Sequence, residues 1–311
     1  MAESCKIVCI GTKGYPGASR VLRDLAGIGL ATFYYLEDLK AVPSASIVVF
    51  AAWHPSYNAL MSRIDAKKFV CWTSPALQTE LNDPEIEFLS YVIRHEEING
   101  IWFGDDHLAK TFSERGFYLP YPVDVSQTYQ YKTENQLKKD VGLFSALHNK
   151  QKNVLTQFVA FKMLQQKYAD IILHTNRLTP TQRTFATILG IKFQEHGYLP
   201  DKEFFTLIQS VKGQSHVFLS ESFSYATIES IILGTPCLMS VKVAKNMGID
   251  EPELIVKDVD DSDEIAEKLD RLLTREDYDL FRERIRILGI NTAEKHNSYL
   301  KQHLMEQFDK F

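Results

Sequence analysis

The stretch HVFLS (216–220), ESFSYATIES (221–230), IILGTP (231–236), CLMSV (237–241) decides the fold. HVFLS is a short apolar run rich in β-formers and predicts a strand. IILGTP puts Gly234 just past a helix end and Pro236 soon after, which is the chemistry that stops a helix. CLMSV is apolar again and predicts a second strand. Strand, helix and strand in that order make one βαβ unit of a parallel sheet. In open α/β sheets, ligands bind outside the carboxyl ends of the strands. Glu221 directly follows the predicted strand, so it is expected at that crevice. With a helix starting near Ser224, Glu229 falls about one to two turns in, close to the positive end of the helix.

Composition bounds the rest. A chain of 311 residues suits two domains of ordinary size. Hydrophobic content of 45% and charged content of 24% fit a globular protein. The net charge of -5 disfavours broad nucleic-acid binding. No apolar run reaches membrane-spanning length. MAESCKIVCIG enters a strand at once and lacks the features of a signal peptide, so a cytoplasmic location is expected. Cys5, Cys9, Cys71 and Cys237 form no CxxC and no zinc-type cluster. They read as buried thiols, and no metal site is expected.

Before the deciding stretch, CKIVCIG (5–11) predicts a strand buried on both faces. The loop GTKGYPGASR (11–20) and a helix over 19–29 follow it. Strand, glycine loop and helix suggest a nucleotide-binding half. SIVVFAA (46–52), KKFVCWTS (67–74) and GIWFGDD (100–106) predict further strands, with a helix over 107–115. The first of these ends at Trp53-His54-Pro55, on the ligand-facing edge. Two prolines in YPVD and the preceding LP stiffen the chain near a boundary placed close to residue 128. DVGLFSAL (140–147) opens a second domain, followed by a basic loop and a helix over 154–168. ADIILHTNR, IKFQEHGYLP and ELIVKD add strands. A helix over 264–273 follows, and 277–289 and 298–311 read as two amphipathic helices.

The run Ser220-Glu221-Ser222-Phe223-Ser224, then Glu229, then Gly234-Thr235-Pro236, resembles the signature of the retaining nucleotide-sugar glycosyltransferases of the GT-B fold. This is the group 1, family 4-like set, with two Glu separated by seven residues. The resemblance implies two Rossmann-like α/β domains with parallel sheets, facing across a cleft. These would be 1–128 on the acceptor side, 129–290 for the nucleotide sugar, and a helix at 291–311 crossing back to the first domain. It further implies that Glu221 holds hydroxyls of the donor sugar, that Glu229 holds the ribose, and that backbone at Ser222, Phe223 and Ser224 meets sugar and phosphates. The chemistry suits those roles, because a carboxylate accepts from vicinal hydroxyls and a helix N-terminus favours a diphosphate. The plain alternative is that Glu221 caps a loop and Glu229 is solvated.

The same resemblance points to Gly14, Gly17 and Arg20 in the first glycine loop, to Lys152 as a diphosphate ligand, and to Tyr198 beside the nucleobase. His54 is the candidate catalytic group of the first domain, with Ser74 as its competitor. The sequence departs from the family in two ways. Ser222 and Ser224 stand where it usually has Gly, and Ala146 or Leu147 stands where it has an Arg that grips the diphosphate. Lys150 or His148 is then expected to compensate, although a lysine does not reproduce the planar fork of an arginine. The implied activity is metal-independent sugar transfer, with retention, from a UDP-, GDP- or ADP-sugar to an acceptor the sequence leaves open, with no cofactor. A catalytically weak relative that binds a nucleotide or sugar is the alternative, and an epimerase of the same fold is a third. Asp258-Val259-Asp260 imitates a metal motif, but its place before a helix reads as dipole compensation. No Gly-x-Ser-x-Gly elbow supports a hydrolase.

Overall fold

The run Ile7–Gly11 is buried along its whole length in the computed structural model, as a strand in the middle of a parallel sheet must be. The structure describes residues 7–13, 16–41, 44–52, 54–132, 140–145 and 147–311. Two compact units divide the chain: Met1–Asp124 with Ala293–Phe311, and Val125–Thr292.

The first unit holds β1 (Ile7–Gly11), β2 (Thr32–Tyr35), β3 (Ile47–Ala51), β4 (Lys67–Trp72), β5 (Gly100–Phe103) and β6 (Gly116–Tyr118). They pair in the order β2-β1-β3-β4-β5-β6, all parallel, with Cys9 opposite both Phe33 and Val49. Val8, Ile10, Val48, Phe50, Val70 and Phe103 form one buried cluster with the helices on that face. Each such side chain contributes about 1.5–3 kcal/mol by leaving water. Tyr121 ties the end of the sheet to the chain beyond β6. Its hydroxyl donates to Trp72 O at 2.8 Å and accepts from Gly104 N at 3.0 Å.

The second unit holds β7 (Val141–Leu143), β8 (Leu173–Thr175), β9 (Phe193–Glu195), β10 (Gly213–His216), β11 (Cys237–Ser240) and β12 (Ile255–Val256). Their order is β12-β11-β10-β7-β8-β9, again all parallel. The chain runs outward from β7 through β8 to β9, then returns to the other side of β7 at β10. That reversal is the topological switch point, the place where open α/β sheets bind ligands. In the first unit the switch point lies between β1 and β3.

Several sequence expectations need correction. The strand expected at 216–220 is Gly213–His216, so Glu221 lies five residues beyond it. The chain leaves the sheet after His216 because its next amides find other acceptors. Val217 N donates to Gln157 Oε1, Phe218 N to His216 O, and Leu219 N to Gln151 O. β2 was not anticipated, since its residues are alternately exposed and half-buried at the sheet edge. The two helices expected at the C-terminus are one helix, Tyr278–Asp309. No proline interrupts it. Phe281 and Phe308 are both buried, and 27 residues separate them (308 − 281). At about 100° per residue, the buried positions turn gradually around the helix, from Phe281 and Ile285 to Leu304 and Phe308. The helix after β10 is Tyr225–Ile232 and stops at Gly234, whose φ of 79° suits a residue without Cβ.

Candidate functional site

The loop leaving β7 ends in a tight turn, Lys150–Lys152, and passes through Asn153 into the helix Val154–Lys167. Asn153 adopts a left-handed conformation with φ 51°, and its side-chain amide donates to Val259 O at 2.6 Å. Asn tolerates this backbone better than most residues. The loop leaving β10 runs from Val217 to Ser224 and enters the helix Tyr225–Ile232.

Gln157 staples the two loops together. Its Nε2 donates to Lys152 O at 2.8 Å and Asn153 O at 3.2 Å. Its Oε1 accepts from Ser215 Oγ at 2.7 Å and Val217 N at 3.1 Å. This arrangement brings Lys152 against Glu221, and the two form an ion pair with side chains only 6% and 11% exposed. The Lys152 ammonium also lies 4.4 Å from the centre of the Phe218 ring. Asn246 Nδ2 donates to Glu221 O at 3.0 Å and fixes the backbone there.

Around this pair are polar groups with little to bond. The hydroxyls of Ser220 and Ser222 are buried and have no hydrogen-bond partner among the described residues. Buried polar atoms are normally satisfied, so such a loop suits a polar ligand. Glu229 is buried in the helix Tyr225–Ile232, and Phe223 and Ser224 are buried before it. Lys152, Glu221, Ser222, Phe223, Ser224 and Glu229 thus lie on the two segments that leave the switch point. Lys150 is exposed on the same turn. Leu147 is buried, and its carbonyl accepts from Gln182 Nε2 at 2.6 Å. Ala146 lies outside the described residues. Tyr198 follows Gly197 and is 83% exposed, so its ring anchors no packing.

His216 and Thr227 were not singled out from the sequence. His216 is fully buried at the end of β10. Phe144 N donates to its Nε2 at 3.2 Å, and its Nδ1 lies 2.9 Å from Thr227 Oγ1. Burial, with the nearby Lys152 charge, pushes the imidazole down to about 3, so it is neutral. A histidine opening an apolar strand, and a threonine inside the apolar helix that follows, were the available signals.

The remaining candidates belong to the first unit. Arg20 Nε pairs with Asp24 Oδ1 at 2.6 Å within one helix. Asp24 also accepts from Asp124 N at 3.0 Å, and burial raises its carboxyl. A Cβ at Gly17 would meet nothing within 4 Å, so no close approach demands glycine there. Gly14 lies outside the described residues. His54 is half-buried, and its Nδ1 accepts from Ser56 N at 3.2 Å, which caps a short turn. Ser74 Oγ accepts from Gln78 Nε2 at 3.0 Å. Cys9, Cys71 and Cys237 are buried free thiols, and Cys5 lies outside the described residues. In the acidic loop, Asp258 Oδ1 accepts from Asp260 N and Asp261 Oδ1 from Glu264 N, each at 3.0 Å. These carboxylates serve the start of the helix Ser262–Thr274. No helix among the described residues is long and apolar enough to cross a membrane.

Two parallel six-stranded sheets with these connections are the fold of the GT-B glycosyltransferases. Among solved structures, HepE of Anabaena in complex with UDP and glucose superposes with a TM-score of 0.71 at 12% identity, covering 97% of this chain and 100% of that one. The UDP-forming α,α-trehalose-phosphate synthase of Burkholderia xenovorans gives 0.64 at 11% identity, covering 99% of each chain. The sucrose-phosphate synthase of Thermosynechococcus elongatus gives 0.64 at 12% identity, covering 98% of this chain and 100% of that one. No protein-family model matches the sequence, and no curated protein matches it.

Proposed function

We propose that this chain is a retaining glycosyltransferase that moves a sugar from a nucleoside-diphosphate sugar to an acceptor without a metal ion. The observation that carries the reading is the Lys152–Glu221 pair at the switch point of the second unit, with Glu229 buried on the adjoining helix. Lys152 neutralises charge on the departing diphosphate, helped by the N-terminus of the helix Tyr225–Ile232. Glu221 accepts from sugar hydroxyls, and Glu229 from the ribose. The donor is a UDP-, GDP- or ADP-sugar. UDP is the first to test, because HepE was solved with UDP and the trehalose-phosphate synthase is UDP-forming.

One observation favours a second reading. Glu221 and Lys152 neutralise each other in a buried ion pair. A catalytically weak relative that only binds nucleotide or sugar could keep such a pair. A thermal-shift screen of UDP, GDP, ADP and their sugars, followed by a donor-turnover assay, separates the cases. The transferase reading expects a rise in melting temperature by mass action, its loss in Glu229→Ala and Lys152→Ala, and release of nucleoside diphosphate. Binding without any release of diphosphate supports the second reading. Stabilisation by none of these ligands overturns both.

A further inference from the structure

Away from the donor loops, the second unit lines up three titratable side chains. Asp140 immediately precedes β7, His174 is the middle residue of β8, and His196 immediately follows β9, the edge strand. His174 Nε2 lies 3.2 Å from Asp140 Oδ2, and His174 Nδ1 lies 2.8 Å from His196 Nε2, with the ring planes 19° apart. Gly142, opposite His174 in the register, has no side chain to crowd the imidazole. Asp140 Oδ1 accepts from Ile172 N at 3.0 Å, which fixes the carboxylate. His174 is buried and His196 half-buried. His196 N donates to Thr175 O at 2.9 Å, and Asn176 Nδ2 to Gly197 O at 3.3 Å, so the ring contact adds to bonds that close this end of β9 on β8.

The proton count in this line is limited. A carboxylate only accepts, so His174 Nε2 carries the proton between them. The neutral His174 then has a bare Nδ1, and His196 Nε2 donates to it. His196 Nδ1 is the one ring nitrogen of the pair left without a proton. One extra proton enters there and leaves both hydrogen bonds in place. A second extra proton would sit on His174 Nδ1 and face the N–H of His196 across 2.8 Å. Two donors cannot share one bond, and two adjacent cations repel, so the rings must part. Burial, and then the neighbouring His174, hold the His196 imidazole below its ordinary value. The other charged groups around the pair are engaged elsewhere. Glu195 pairs with Arg183 of the helix Pro180–Ile188, and Lys192 donates to Ala169 O. Lys162 donates to Gly190 O, and Lys212, before β10, to Leu273 O. The helix Asp201–Ser210 packs against Phe144 and carries Asp201, Lys202 and Glu203 in its first turn, the last two exposed.

We propose that the His174–His196 bond is an acid-sensitive latch on the edge strand β9. It holds while the pair carries no extra proton or one, and it opens, freeing the exit of β9 from β8, when the pair takes up the second. The latch uses side chains that the donor reading does not.

Imidazole nitrogen shifts and amide hydrogen exchange, both followed by NMR as the pH is lowered from 8 to 5, test the latch. At pH 8 both rings are expected as the Nε2–H tautomer. Proton uptake is expected in two separated steps, the first at His196 Nδ1. Only the second step removes protection from the His196 amide, by about tenfold per pH unit after correction for intrinsic exchange, the slope of one linked proton. The Val141 amide, bonded to Ile172 O in the same sheet, is the control and keeps its protection. His196→Gln donates the same bond to His174, and its carboxamide can turn to accept when His174 takes a proton. The end of β9 is therefore expected to stay protected in that variant throughout. Both proteins keep His216, so its contribution cancels. An Nδ1–H tautomer in either ring at pH 8 overturns the proposal. So does a single step in which both rings protonate while the His196 amide stays protected. Equal loss of protection in His196→Gln, or loss at Val141 in step with His196, overturns it as well, because the opening would then be global or independent of the pair.

Discussion

Lys152 and Glu221 form a buried ion pair that joins the loop leaving β7 to the loop leaving β10. Taking both charges out of water is expensive, and the pair repays that only while both members are present. Removing one strands the other. Lys152→Met and Glu221→Gln are each expected to destabilise the second unit by about 3–5 kcal/mol. The double variant should be less destabilised than either single one, because no unpaired charge remains. Urea denaturation of the four proteins measures this cycle. Additive losses would show that the two side chains do not depend on each other. Donor turnover is expected to be lost in all three variants, so stability and activity separate in the double variant.

Asn153 holds the lysine turn in a conformation most residues avoid. Its side chain adds the bond to Val259 O. Asn153→Ala loses that bond, about 1 kcal/mol, and adds roughly 1 kcal/mol of left-handed strain. Asn153→Gly loses the bond without the strain. The glycine variant should therefore be the more stable of the two, and its affinity for nucleotide closer to wild type. Thermal melts that rank alanine above glycine would remove the backbone argument.

Much of the fold was legible because the inner strands of the first sheet are continuous apolar runs. Ile7–Gly11 and Ile47–Ala51 are buried along their whole length, and such strands need no alternation to be seen. The candidate site could be read only as residue types, with Glu221 and Lys152 on loops and Glu229 on a helix. Glu221 and Lys152 could each be assigned a partner in a ligand, but nothing in the sequence says they bond to each other across 69 positions. β10 was misplaced because GQSH is polar and fully buried. Its Ser215 and His216 are satisfied by Gln157, Phe144 and Thr227, which are distant in sequence. Hydrophobic patterning cannot see a polar residue that is paid for by partners elsewhere in the chain. The last helix was split for a related reason. Its buried stripe turns from Phe281 to Phe308, so no single face carries the pattern.

Gly289 sits inside that long helix, where alanine normally gains about 1 kcal/mol. Here a Cβ would lie 2.8 Å from Ile231 Cγ2 and 2.9 Å from Ile232 N. The second contact is backbone at the end of another helix and yields little. Overpacking of this kind costs about 1–3 kcal/mol, which exceeds the gain in propensity. Gly289→Ala is expected to lower the melting temperature. A rise would mean that the two helices can separate without loss.

His216 sets a pH dependence with a definite direction. In the unfolded chain its imidazole titrates near 6.5, whereas in the folded protein burial and the Lys152 charge hold it down to about 3. Above pH 6.5 it is neutral in both states and has no effect on the slope. As the pH falls from about 6.5 toward 3, the unfolded chain takes up a proton that the folded protein refuses. Stability then drops by about 1.4 kcal/mol per pH unit from this one group. His216→Gln keeps an acceptor for Phe144 N and a donor for Thr227 but does not titrate. Urea midpoints measured from pH 7 to pH 4.5 should therefore fall more steeply for the wild type than for His216→Gln, with the two slopes converging above pH 7. Equal slopes throughout would mean that His216 is protonated as readily in the fold as outside it. That result would remove the fixed tautomer on which the hydrogen bonds of His216 with Phe144 N and Thr227 Oγ1 depend.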